Sequence, residues 1–320
     1  VDGEVALYTE DLGVRYYIQR GVVKALDDVN FRLYKASLTG VVGESGCGKS
    51  TLGRAIIRVL PPNGEITSGR IIYNGVNIVE LSEEEMRKLR GREIGLVMQD
   101  PMTSLDPLMS VKDHLLETIL EHIEVSRDEA LKMAEEALSS VGLSRELLKS
   151  YPHQLSGGQR QRVAIALATV LKPKILIADE PTTALDVIVQ KKVLDLIEDL
   201  MRELSLTVML ITHDIALAAE RADYIGVMYA GHLVEYGRVD QVIEDPQHPY
   251  TQLLLKSVPD IENISMVQSI PGLPPDLVNP PPGCRFHPRC PYKMDICIRE
   301  EPKMIEVGEG HYVACLLRRR

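Results

Sequence analysis

The stretch GESGCGKST, residues 43–51, constrains this chain more than any other feature. It fits G-x-x-x-x-G-K-[ST] and stands between an apolar run, LTGVV, and a segment, TLGRAIIRVL, that reads as a helix closed by Pro61-Pro62. Strand, glycine loop and helix in that order make a phosphate cradle. Gly43, Gly46 and Gly48 let the backbone curl until its N–H groups face phosphate oxygens. Lys49 is then placed to neutralise β- and γ-phosphates, Ser50 to ligate Mg²⁺, and Thr51 to add a further nucleotide contact. Cys47 lies in the same loop as a small residue whose thiol does no chemistry, although a reachable thiol there would make the site sensitive to thiol reagents.

A cradle of this kind sits on an α/β sheet, and the rest of the chain supplies one. Residues from Val5 to about Ile78 are β-rich, with GVRYYI and RIIYNGVNIV separated by turns. Residues 102–156 read instead as helices, VKDHLLETILEHI and RDEALKMAEEALSSV, with apolar positions three and four apart. Strand–helix alternation then returns through KILIAD, VIVQKKVLDLIEDLMRELS, TVMLITHD and IALAAERA. KILIA and TVMLI are almost wholly apolar, as parallel strands covered on both faces should be. The character changes again near residue 236, and eight of the nineteen prolines fall between Pro271 and Pro291, too many for regular structure.

KILIADEP carries the second part of a phosphate-transfer site. Its strand ends in Asp179, placed to hold the Mg²⁺ shell, and Glu180 follows as the group that orients or deprotonates an attacking water. In LSGGQRQR, residues 155–162, a serine and two glycines precede a helical run, which is a second anion-binding helix start in a chain that already has one. The formal net charge of −10 and pI near 5.4 argue against nucleic acid as a partner. No apolar run is long enough to span a bilayer, and VDGEVALYTEDLG lacks a secretory pattern, so a cytoplasmic location is expected. Four cysteines, Cys284, Cys290, Cys297 and Cys315, crowd the last forty residues as C-x5-C-x6-C-x17-C. Four thiolates suit Zn²⁺ or an iron–sulfur cluster, and the lack of a C-x2-C knuckle favours the cluster.

The P-loop, LSGGQRQR, ILIADEP, TALD and ITHD, in that order over residues 43–214, resemble the nucleotide-binding subunits of ABC transporters. The resemblance implies a P-loop NTPase core of RecA-like α/β type with an antiparallel β subdomain and an inserted helical subdomain. It places the ATP-binding core at 1–100 and 157–235, the helical subdomain at 101–156 and a small Cys-containing extension at 236–320. It also implies head-to-tail pairing with a second ATPase subunit, this chain again or a paralogue, whose ATP is covered by Ser156, Gly157, Gly158 and Gln159. Gln99 matches the glutamine that links Mg²⁺ and water to the membrane partner; His213 matches the histidine at the γ-phosphate; Asp186 matches the loop that signals across the dimer. An aromatic residue stacks on adenine in the family; Tyr16 is preferred to Tyr17 because L-x-V-x-Y puts it on one strand face with Leu12 and Val14.

MQDPMTSLDPLMSV, HPYTQLLLKSVP and the tail PPGCRFHPRCPYKMDIC…HYVAC resemble, more narrowly, the ATPase subunits of oligopeptide/dipeptide importers. That resemblance implies an ATP- and Mg²⁺-dependent subunit on the cytoplasmic face of the membrane. It would be bound to integral membrane permease subunits and served indirectly by an extracytoplasmic substrate-binding protein. It strengthens the expectation of a [4Fe–4S] cluster on the four cysteines, with Zn²⁺ as the alternative. Nickel or oligosaccharide import, and a soluble ABC ATPase with an iron–sulfur sensor tail, stand as the rival readings.

Overall fold

The computed structural model describes residues 3–183, 185–258 and 269–319. Ala184 of the TALD run, Pro259 at the end of HPYTQLLLKSVP and the terminal Arg320 lie outside the described residues. The chain forms two compact units, one running up to Glu80 and again from Leu210 onward, the other Leu81–Met209.

The first stretch of the first unit holds β1 (Val5–Ile18), β2 (Gly21–Val29), β3 (Arg32–Tyr34), β4 (Leu38–Val42), α1 (Lys49–Ile56), β5 (Gly64–Tyr73) and β6 (Val76–Asn77). An antiparallel sheet runs β2-β1-β5-β6, with β3 also paired to β1. The register of β1 shifts between Leu12 and Arg15 against β2, so this long strand bends within the sheet. Every residue of β4 is buried, Thr39 included. α1 ends at Ile56, four residues short of the apolar run, because Arg58 turns to a left-handed φ of 54° ahead of the two prolines.

The second unit contains α2 (Glu83–Leu89), β7 (Ile94–Val97), α3 (Val111–His122), α4 (Arg127–Ser140), α5 (Gly157–Thr169), β8 (Ile175–Asp179) and α6 (Val187–Leu204). β9 (Thr207–Ile211) contains the cut between the units. β7 and β8 pair in parallel, with Val97 opposite Ala178. α3, α4 and α5 pack on one another, and Ser110 and Ser126 cap the first two through their hydroxyls. α2 has no counterpart in the sequence reading, although Ser82 and Glu85 form a complete capping box at its start.

The first unit resumes with α7 (Ile215–Arg221), β10 (Tyr224–Tyr229), β11 (His232–Arg238), α8 (Val239–Glu244), α9 (Pro249–Lys256), β12 (Ile305–Gly308) and β13 (His311–Val313). Within this unit the strand order is β12-β13-β11-β10-β4, with β10 parallel to β4 and the remaining pairs antiparallel. The tail thus extends the sheet. Glu235 of β11, fully buried, anchors it by accepting from the backbone N–H groups of Gln247 (2.6 Å) and His248 (2.9 Å) and sitting 2.8 Å from His311 Nε2. The proline-rich stretch from Pro271 to Pro291 forms neither helix nor strand, as its composition requires. The architecture is mixed α/β, with an antiparallel β region and a helical insert.

Candidate nucleotide site

In the first unit, the loop after β4 has the curled form the glycines permit: φ is +148° at Gly43, +77° at Gly46 and +111° at Gly48. At Gly43 the closeness is absolute, since a Cβ would lie 2.1 Å from the carbonyl oxygen of Met228. Gly48 is the left-handed N-cap of α1, so the loop delivers Lys49 and Ser50 at the first turn, where backbone N–H groups are unpaired within the helix. Lys49 is 4% exposed, and its ammonium donates to Gly43 O (2.8 Å) and Glu44 O (3.1 Å). Cys47 is 4% exposed and burial pushes its thiol up from its ordinary range, which suits a small loop residue whose thiol does no chemistry and leaves it out of easy reach of thiol reagents.

Tyr16 and Tyr17 separate cleanly. The Tyr16 hydroxyl lies 3.2 Å from that of Thr51 on α1, while Tyr17 is half exposed and donates to Glu65 at 3.1 Å. The backbone N–H of Thr212 donates to Val41 O at 3.1 Å, so the end of β9 runs beside the end of β4 and His213, exposed, emerges next to the P-loop strand. Asp214 then caps α7 by accepting from the N–H groups of Ala216 and Leu217.

In the second unit the parallel register decides the geometry. Val97 opposite Ala178 puts the residues two further on, Gln99 and Glu180, side by side, and Gln99 Nε2 donates to Glu180 Oε2 at 3.1 Å. Thr183 Oγ1 donates to the same oxygen at 2.9 Å. Thr183 was missed as a site residue, though it follows the two carboxylates by three and four positions in one short turn. Glu180, the residue after β8, holds a φ of +45°, a strained conformation for a non-glycine residue. Asp179, the last residue of β8, is buried.

LSGGQRQR forms the start of α5 as expected. Ser156 is the N-cap, its hydroxyl accepting from Gln159 N–H (3.3 Å) while Gln159 Oε1 accepts from Ser156 N–H (2.9 Å). Gly157 and Gly158 form the first turn, and a Cβ on Gly158 would come within 2.8 Å of Val189 on α6. Asp186 caps α6 through Val189 N–H at 3.0 Å. The signature glycines and the loop after Glu180 are therefore neighbours in this unit.

The four tail cysteines do not meet the expectation made of them. All are free thiols, and among the described residues no group of three or more His, Cys, Asp or Glu side chains is arranged to hold a metal ion. Burial pushes the Cys284 thiol up to about 12, and the neighbouring thiols Cys297, Cys315 and Cys290 add to that. Cys290 and Cys315 are raised too, again chiefly by burial.

Residues 26–183 match the ABC transporter family, and residues 234–297 match the oligopeptide/dipeptide transporter C-terminal region. A dipeptide transport ATP-binding protein, DppD, of Caldanaerobacter subterraneus subsp. tengcongensis is 47% identical over 98% of this chain and 97% of its own length. The chain belongs to the ABC transporter family. Within it, the oligopeptide transport ATP-binding protein OppD of Bacillus subtilis is 45% identical over 96% of this chain and 87% of its own length. The dimeric, post-hydrolysis ATP-binding cassette MJ0796, bound to ADP and Pi, superposes with a TM-score of 0.65 at 30% identity, over 73% of this chain and 98% of that one. The ABC cassette cbiO1 of Clostridium perfringens gives the same TM-score at 32% identity, over 76% of this chain and 92% of its own. Among the described residues no helix is long and apolar enough to cross a membrane.

Proposed function

We propose that this chain is the ATP-binding, ATP-hydrolysing subunit of an ABC importer for di- or oligopeptides, working on the cytoplasmic face of the membrane through permease subunits. The observation that carries the reading is near-full-length similarity to dipeptide and oligopeptide transport ATP-binding proteins, including the C-terminal region. A curled P-loop with a buried lysine, and Gln99 bonded to Glu180, support it locally.

In this reading the first-turn N–H groups of α1 and the Lys49 ammonium bind the β- and γ-phosphates, and Tyr16 carries the adenine. The hydroxyl of Ser50, the carboxylate of Asp179 and the amide oxygen of Gln99 are the hard oxygen donors that Mg²⁺ takes, so the donor chemistry fits the ion. Mg²⁺ supplies charge neutralisation at the phosphates. Glu180, steadied by Gln99 and Thr183, accepts the proton of the attacking water, and His213 contacts the γ-phosphate. Ser156, Gly157, Gly158 and Gln159 serve the ATP of a second ATPase subunit, and Asp186 links the two. The partition into a core of 1–100 and 157–235, a helical subdomain of 101–156 and an extension of 236–320 follows the same reading. An extracytoplasmic binding protein delivers the cargo.

A metal centre on Cys284, Cys290, Cys297 and Cys315 is a separate and finer part of the reading, supported only by the mutual electrostatic reach of the thiols. No step of ATP turnover is assigned to it. Iron, zinc and acid-labile sulfide measured per purified chain decide it: an integral ratio retains the centre and none removes it. Cargo is tested with proteoliposomes that contain this chain and its membrane partners, enclose ATP and carry the extracytoplasmic binding protein on the outside. Uptake of labelled dipeptide, suppressed by unlabelled tetrapeptide, supports the peptide assignment, whereas uptake of Ni²⁺ or an oligosaccharide alone replaces it.

A further inference from the structure

The tail of this chain reaches the P-loop. Arg289, in the turn Cys284–Cys290, forms a bidentate pair with Glu44, the residue after Gly43: Nη1 lies 2.7 Å from Oε2 and Nη2 2.9 Å from Oε1. The arginine side chain is 5% exposed and the glutamate 24%. The rest of the guanidinium is fixed as well. Nε donates to Pro271 O (2.8 Å), Nη1 to the Tyr229 hydroxyl (3.3 Å) and Nη2 to Ile270 O (3.5 Å), so all of its donors have acceptors. An arginine held this way has little freedom left to lose, and its grip on Glu44 is correspondingly stiff.

A second tail residue holds the same loop position. Tyr250 of α9 is fully buried against Tyr229 and Phe286, and its hydroxyl accepts from the backbone N–H of Glu44 at 2.9 Å. The carbonyl of Glu44 accepts from Lys49 Nζ. One P-loop residue is thus bonded through its carboxylate and N–H to the tail, and through its C=O to the phosphate-binding lysine. On the same turn as Arg289, Arg285 pairs with Asp27 and donates to Ala230 O at 2.6 Å. Gly231, next in sequence, donates to Cys47 O of the loop at 2.8 Å.

We propose that Arg289 and Tyr250 are positioning residues for nucleotide binding, clamping the P-loop through Glu44 so that the fold of the tail sets the affinity for ATP. A loop already held in its curled form loses less freedom when phosphate enters it. Linkage makes the effect reciprocal: ATP must stabilise the Cys284–Cys290 turn by as much as the turn favours ATP. This inference rests on the P-loop being the ATP site.

The test is a double-mutant cycle on the full chain with Arg289→Met, Glu44→Gln and the double variant, reading the Kd of a fluorescent ATP analogue and the kcat and KM for ATP. Glu44→Gln keeps the volume of a partly exposed side chain and so keeps the fold. Each single variant is expected to weaken binding about tenfold, the scale of one charge-assisted hydrogen bond, raising KM with kcat within twofold of wild type. The double variant is expected to be no weaker than either single one. Hydrogen exchange of the peptide covering 284–290 should slow on adding ATP in the wild type and respond less in Arg289→Met. Additive losses, a weakened Arg289→Met beside an unchanged Glu44→Gln, or lowered melting temperatures with unchanged Kd would each overturn the clamp and leave a mere structural staple. If the wild-type chain itself fails to bind the analogue, the nucleotide reading fails and the clamp with it.

Discussion

Alanine at Gly43 and alanine at Gly46 look alike in sequence and should behave very differently. Both glycines have positive φ, +148° and +77°, and a left-handed conformation costs a non-glycine residue about 1–2 kcal/mol. At Gly46 that is the whole cost, because nothing lies within 4 Å of the new Cβ. At Gly43 the Cβ meets Met228 O at 2.1 Å and Cys47 Sγ at 2.9 Å. The oxygen belongs to the backbone of β10, which is paired with β4 directly beneath the loop, and no side-chain rotation moves it. Overpacking of this kind adds about 1–3 kcal/mol, for a total near 4 kcal/mol. For a unit of roughly 200 residues this lowers the melting temperature by about 8–16 °C at Gly43 and by about 2–8 °C at Gly46. Differential scanning fluorimetry without nucleotide measures both, and a titration with ATP shows whether Gly43→Ala also loses affinity as the loop is pushed off β10. Melting temperatures within 2 °C of each other would refute the steric argument.

Three further outcomes follow from the same geometry. Glu180→Gln should bind ATP as wild type does, lose nearly all turnover and accumulate a nucleotide-bridged dimer in size-exclusion chromatography; hydrolysis at the wild-type rate would reject Glu180 as the proton acceptor. Ser156→Ala removes the capping hydroxyl of α5 and should cost about 1 kcal/mol in urea unfolding, with the loss restored by Ser156→Thr. Burial lowers His248 to about 4, and burial together with Arg285 lowers His232 to about 3. Both are neutral when folded, whereas an unfolded histidine protonates near 6.5. Stability is therefore full above pH 6.5 and falls toward pH 4 by about 1.4 kcal/mol per pH unit per histidine. The urea midpoint followed across that window should fall less steeply in His248→Gln, and an unchanged slope would count against the assignment.

What could be read in the sequence was what short-range chemistry dictates. The P-loop, the apolar β8, the capped start of α5 and the helices of 111–140 each announce themselves within a dozen residues. Gln99 and Glu180 were legible one at a time, but their hydrogen bond follows from the parallel register of β7 and β8, and strand register across 81 positions is a tertiary fact. α2 was missed because seven residues dominated by charge show no apolar stripe, even with a capping box in plain view. The cysteine spacing is a different case. Sequence proximity of four thiols is a statement about the chain, while ligation is a statement about where sulfurs converge, and among the described residues no group of three or more is arranged to hold a metal ion. The contact between Arg289 and Glu44 spans 245 positions and could not have been read from either end. It explains why a segment too rich in proline to form helix or strand is nevertheless fixed in place. Its arginines are bonded to Glu44, Asp27 and the carbonyls around them, so its order depends on the P-loop as much as on itself.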